Sequence, residues 1–160
     1  MPSGALGPVA ETAPAKQRSM RFTPRDRLRK RFEFRRLRDV GRRVHTRSFV
    51  LLIARSEQPR SRLGITVSRQ VGNAVRRNRL KRLLREAFRQ QRSLFPDSCD
   101  VVMIAKSGSP TGLTLSQVVR ELEQASGAVR SAWAKPPRSV EARPHPRSAA
   151  RERKPGGARS

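Results

Sequence analysis

Arg62–Arg92, RLGITVSRQVGNAVRRNRLKRLLREAFRQQR, joins an alternating strand, a Gly-Asn break and a densely basic amphipathic segment in one uninterrupted run. From Arg62 to Ser68 the apolar residues Leu63, Ile65 and Val67 alternate with Gly64, Thr66 and Ser68, the period of a half-buried strand. One face enters a core. The other is nearly flat, which suits close approach by a nucleic-acid backbone or packing under a helix equally. Gly72 and Asn73 end the strand, and Asn73 is placed to cap a helix through its side-chain oxygen.

Advancing about 100° per residue from Leu80 puts Leu80, Leu83, Leu84, Ala87, Phe88 and Gln91 on one face of that helix. Asn78, Lys81, Arg82, Arg85, Arg89 and Arg92 fall on the opposite face, with Arg77 and Arg79 on its flanks and Glu86 as the only acid. A merely solvated face normally mixes signs in pairs at i, i+4, whereas like charges at that spacing repel. The imbalance points to a polyanionic partner.

The run GITVSRQVGNAVRRNRLKRLLREAFR resembles the signature of the bacterial ribonuclease P protein subunit, whose motif places an Arg-Asn-Arg triplet, here Arg77, Asn78 and Arg79, just inside the helix. The similarity extends upstream through Leu28, Phe34, Gly41, Val44, Arg47 and Phe49 and downstream through Val101 to Lys106, covering about residues 22 to 134. It implies a catalytic RNA subunit that carries the active site and its magnesium ions, with a protein that helps bind precursor tRNA and its 5′ leader. The chain would then be part of an endoribonuclease without a catalytic residue or bound metal of its own, and without an obligate protein partner. Carried onto this sequence, Arg77, Asn78, Arg79, Lys81, Arg82 and Arg85 would meet the RNA, and Phe34 with the sheet face would line a cleft for the single-stranded leader. Arg69 and Arg89 complete the candidate RNA-binding set. Single-strand clefts pair positive charge with aromatic platforms, and here this chain departs from many relatives: it has no Tyr, and Arg38 and Leu52 stand where aromatic residues are frequent. Arg38 can offer a guanidinium plane instead.

Composition agrees. Lys and Arg total 37 against 12 acids, a formal net charge of +25, far beyond what solubility requires and suited to nucleic acid, with an anionic membrane the weaker option. Residues 1–20, rich in Ala, Pro and Gly, read as a disordered arm and 135–160 as a disordered basic tail, leaving the domain at 21–134. The tail holds eight basic residues and two acids and the arm two basic residues and one acid, so the excess charge sits mainly on the domain itself. Cys99 is the single cysteine, so no internal disulfide framework is available. No stretch approaches the length of a membrane span, and a cytoplasmic location is expected.

In chain order, Thr23, Pro24 and Asp26 signal a helix start and Gly41 a stop. One straight helix would set Leu28 and Phe32 opposite Phe34 and Leu37, so either one group is exposed or the helix begins nearer Arg31, the start that the family pattern favours. Arg42–Thr46 forms a strand or turn. Phe49–Arg55 is an apolar strand, and the short loop after it suggests an antiparallel hairpin with Arg62–Ser68. Pro96 ends the basic helix, Asp97–Asp100 makes a turn, and Val101–Ala105 is a strand covered on both faces. Thr114 and Gln117 form a capping box before Leu115, Val118, Val119, Leu122, Ala125, Val129 and Trp133 at helical spacing. The fold class is α+β, a small one-sheet sandwich in the order α-β-β-β-α-β-α. The resemblance adds a left-handed βαβ crossover, against the usual hand.

Protein-based phosphodiester hydrolysis requires a general acid and base or carboxylates clustered on metal ions. The acids here are scattered, His45 and His145 lack evident partners, and Cys99 before a buried strand suits a core position better than a nucleophile. A generic RNA-binding or ribosomal protein and an architectural DNA-binding protein are the competing readings, since phosphate neutralisation alone serves all three.

Overall fold

Two strands that are apolar at nearly every position take the interior of the sheet. A computed structural model describes residues 21–136; the 1–20 arm and all of the tail beyond Pro136 lie outside the described residues. Its elements are α1 (Arg31–Val40), β1 (Arg42–His45), β2 (Phe49–Arg55), β3 (Arg62–Thr66), α2 (Ala74–Gln90), β4 (Cys99–Ala105) and α3 (Leu115–Ala134), and the sheet runs β1-β2-β4-β3. Along β2, Phe49, Leu51 and Ile53 face one core while Leu52 and Ala54 face another; along β4, Val101 and Met103 join the first and Val102 the second. Alternate side chains of a strand point to opposite faces, so an all-apolar strand requires cover on both. Helices α2 and α3 supply it on the larger core, and α1 on the smaller.

The expected hairpin of β2 with β3 does not form. β4 lies between them, antiparallel to β2 and parallel to β3, with Ile53 and Leu63 both opposite Val101. The reason is burial: β4 has no polar face to give to solvent, so it takes an interior position, while β3, with Gly64 and Thr66 on its second face, takes the edge. That edge is partly covered by the chain before α1, where the Leu28 N–H donates to the Leu63 carbonyl at 3.0 Å.

The conflict among the early apolar residues resolves through the later helix start. Thr23 heads a single 3-10 turn, Pro24–Asp26, and α1 begins only at Arg31. Leu28 is therefore buried from an extended segment, Leu37 is buried from the helix, and Phe32 is left 64% exposed. At the end of α1, Gly41 is required by contact, since a Cβ there would collide with the Leu37 carbonyl oxygen.

Local signals for the other helices hold. The Asn73 side chain accepts from the Arg76 N–H at 2.9 Å, and Thr114 and Gln117 form their reciprocal cap. Asp100 belongs to β4, fully buried, and not to the turn before it. Glu121 of α3 is also structural, accepting from the Ser48 N–H at 3.0 Å, the Ser48 hydroxyl at 2.6 Å and the Thr46 hydroxyl at 2.9 Å. These bonds pin the β1–β2 turn to α3.

Candidate RNA interface

Leu80, Leu84, Ala87 and Phe88 of α2 are buried against the sheet and α3, which turns the basic face outward. Asn78, Arg79 and Arg82 are exposed, while Arg77, Lys81, Arg85 and Arg89 are half-buried. Arg69 is exposed on a 3-10 turn, Arg69–Val71, just ahead of the helix. Gly72 bridges the two at φ 149°, a left-handed backbone that glycine alone adopts readily. Thus one short turn and one helix carry Arg69, Arg77, Asn78, Arg79, Lys81, Arg82, Arg85 and Arg89.

Two arginines in and just beyond α2 do other work. Arg92 leaves the basic face: it lies beyond α2, its Nη2 is 2.7 Å from Asp26 Oδ1, and its guanidinium stands over the Phe88 ring. Arg76 donates to the Ser109 carbonyl at 2.8 Å. Arg89 pairs with Glu86 at 2.5 Å, so the single acid of α2 neutralises part of one end. Among the described residues no acid pairs with the rest of the face. Burial, and then the charges of Arg27 and Arg82, push the Arg85 guanidinium below its ordinary value, the signature of cations crowded without an anion. Arg77 Nε is shielded from water and lacks a hydrogen-bond partner among the described residues.

Beside this face opens a cleft of about 300 Å³, lined by Lys81 and Arg85 of α2, Leu63 and Ile65 of β3, Phe34 of α1, and Phe22, Arg27, Leu28 and Arg29 from the extended segment. It joins four cations to two phenyl rings over an aliphatic floor, with no carboxylate in its lining. Phe34 lies over Gly64, where a Cβ would come within 2.8 Å of the ring. At Gly64, packing under a helix therefore wins over approach by a ligand. The flat strip remains open one register step away, where exposed His45, half-buried Val50 and Ile104 and exposed Thr66 form a row across all four strands. Arg38, four residues after Phe34 on α1, is exposed, whereas Leu52 is buried beneath α1.

Phe22, Arg27 and Arg29 escaped the sequence reading because their segment is irregular, and no period announces which way its side chains point. The acids nearby are engaged with arginine: Asp26 with Arg92, Glu33 with Arg62 at 2.7 Å, and Asp100 with Arg62 at 2.8 Å. Among the described residues no three His, Cys, Asp or Glu side chains gather to hold a metal ion.

The family model for Ribonuclease P matches residues 22–130, which include every residue of this interface. The chain belongs to the ribonuclease P protein family. The Ribonuclease P protein component of Citrifermentans bemidjiense is 40% identical over 116 residues, spanning 72% of this chain and 98% of that protein. That of Syntrophus aciditrophicus is 40% identical over 97 residues, 61% of this chain and 81% of that one. Among solved structures, the Staphylococcus aureus RNase P protein superposes with a TM-score of 0.59 at 32% identity, covering 67% of this chain and 97% of that one. The Thermotoga maritima RNase P protein does so with a TM-score of 0.58 at 33% identity, covering 64% and 96%. This ribonuclease P protein fold thus presents its Arg-Asn-Arg triplet, Arg77 to Arg79, at the first turns of α2, next to the cationic cleft.

Proposed function

We propose that this chain acts as the RNA-binding protein subunit of ribonuclease P, assisting a catalytic RNA that removes the 5′ leader of precursor tRNA. The observation that carries the reading is the continuity of the uncompensated face of α2 with the cleft holding Phe22, Phe34, Arg27 and Arg85. The helix face, from Arg77 and Asn78 through Arg82, binds the RNA subunit. The cleft and the open His45–Thr66 row take the single-stranded leader, its phosphates against Arg27, Arg29 and Arg38 and its bases against the phenyl rings, in the manner of single-strand grooves. Catalysis and the magnesium ions that support it belong to the RNA subunit. The protein lowers the magnesium requirement by neutralising phosphates that would otherwise repel one another.

The deciding experiment incubates purified chain with precursor tRNA, with and without the RNA subunit, at low magnesium. Cleavage at the mature 5′ end is expected only when both subunits are present. RNase-free cleavage by the protein alone, abolished by a point substitution in it, would overturn the assignment of catalysis to RNA. Failure of the protein to stimulate the RNA subunit, with ribosomal RNA co-purifying instead, would favour a generic RNA-binding role.

A further inference from the structure

A second cationic–aromatic groove lies on the other flank of α1. It is a recess of about 160 Å³ between the last turns of α1 and α3, walled by Arg36, Val40, Arg42, Arg55, Trp133 and Lys135. The cleft above lies at β3, one edge of the sheet, whereas Arg42 belongs to β1, the other edge. Three strand spacings of about 4.8 Å separate those edges, so one nucleotide cannot occupy both.

Its charge is unbalanced. Arg36 reaches Asp100 only at 3.8 Å, an acid already gripped by Arg62, and among the described residues no acid pairs with Arg42, Arg55 or Lys135. The Arg42 Nη2 donates to the neutral Pro136 carbonyl at 2.6 Å, and its Nε has no partner among the described residues. Arg55 stands over the Trp133 ring, 5.2 Å from its centroid, a cation–π contact that offers a base both an indole and a guanidinium to pack against. The residues that follow, 137–160, carry seven basic side chains and two acids; their sign matches that of the groove and makes them poor occupants. The volume falls below the usual range for a whole small-molecule ligand and suits one flat group.

We propose that this groove is a second RNA contact, in which one unpaired base stacks on the Arg55–Trp133 pair while its phosphate lies against Arg42 and Lys135. The inference rests on the RNA-binding reading of the family, but adds a site on the flank of α1 away from the cleft. It gives the protein two separate grips on an RNA that wraps around α1.

Trp133 is the only tryptophan of the chain, so its fluorescence reports on this groove alone. Titrating the full-length protein with single-stranded pentaadenylate is expected to quench that emission in a salt-dependent manner. Arg42→Gln with Arg55→Gln should abolish the quench at unchanged melting temperature, while Arg120→Ala, exposed on α3 and outside both clefts, should retain it. Trp133→Leu, followed by anisotropy of labelled pentaadenylate, should bind more weakly. Removing the two arginines should also lower the log–log salt slope by about 0.7 for each phosphate that is no longer neutralised. Binding by anisotropy without a change in Trp133 emission, or a quench that survives removal of both arginines, would overturn the site. The processing assay with the RNA subunit reads the family function separately, so failure of the groove and failure of that function remain distinguishable.

Discussion

Arg62 and Asp100 face each other in the parallel β3–β4 register, and the arginine grips both carboxylate oxygens, Nε to Oδ1 at 2.9 Å and Nη2 to Oδ2 at 2.8 Å. The same guanidinium reaches Glu33 of α1 at 2.7 Å, so one side chain ties the edge strand, the central strand and the helix that carries Phe34.

The partners are not equivalent. Asp100 is fully buried, and without Arg62 it retains, among the described residues, only Arg36 at 3.8 Å. Arg62→Ala should cost about 3 to 5 kcal/mol, as expected when a buried charge loses its partner. Asp100→Ala should cost less, because Arg62 keeps Glu33. Urea melts of the two variants give the comparison, and equal losses would show that the pair does not carry this asymmetry.

Leu84→Ala and Arg82→Ala should separate stability from binding. Leu84 is fully buried on the inner face of α2, so its truncation should cost about 2 to 5 kcal/mol and leave the salt dependence of RNA binding unchanged. Arg82 is exposed among like charges; Arg82→Ala should leave the melting temperature within a degree or two while flattening the salt slope by about one unit per duplex phosphate it neutralises. Several degrees of thermal loss in Arg82→Ala with an unchanged slope would make this face structural.

Acid should weaken the protein through Asp26 and Glu33. Burial works to raise both carboxyls, but the Thr23 N–H and hydroxyl with Arg92 at Asp26, and the Lys30 and Arg29 N–H groups with Arg62 at Glu33, outweigh it and hold both below their ordinary values of 3.8 and 4.5. A carboxyl depressed by folding contributes stability that is present above its unfolded value and lost as the pH falls through the folded one. Stability should therefore be level at neutral pH and decline below those ordinary values. Glu33→Gln should be less stable at neutral pH and show a shallower acid decline, readable from denaturant melts across that range.

Cys99 should be inert in the native state. Burial, assisted by the neighbouring Asp100, pushes its thiol up to about 12, and only the thiolate reacts at a useful rate. Ellman's reagent at pH 8 should label the protein only as fast as it unfolds, and the rate should rise with denaturant. Rapid stoichiometric labelling of the native protein would contradict the burial.

Gly64→Ala should act through Phe34. A Cβ at that position would lie 2.8 and 2.9 Å from two ring carbons and 3.1 Å from Val102 Cγ2, so the ring must swing into the cleft. The expected cost is about 1 to 3 kcal/mol, typical of overpacking, with weaker leader binding. In a Phe34→Leu background the same change should cost less, and a double-mutant cycle measures the coupling.

The helices and their faces were legible in the sequence because their determinants are local. Asn73, Thr114 and Gln117 cap within one turn, and the spacing of Leu80, Leu84, Ala87 and Phe88 specifies which side of α2 is apolar, and so which side presents Arg77 to Arg85. The unbroken apolar run in β4 likewise required a strand covered on both faces. Periodicity states that a face is buried but not what lies opposite it. Only the tertiary structure decided that β4 separates β2 from β3, because strand neighbours are chosen by the burial of whole elements and not by the length of the loop between them. The same holds for Asp26 and Asp100: each reads as a surface acid in isolation, and becomes a buried anchor only when Arg92 and Arg62 arrive from distant segments. The cleft, too, was half visible. Lys81 and Arg85 followed from the helix, whereas Phe22 and Arg27 reach it from an irregular segment whose direction is set by its backbone pairing with Leu63.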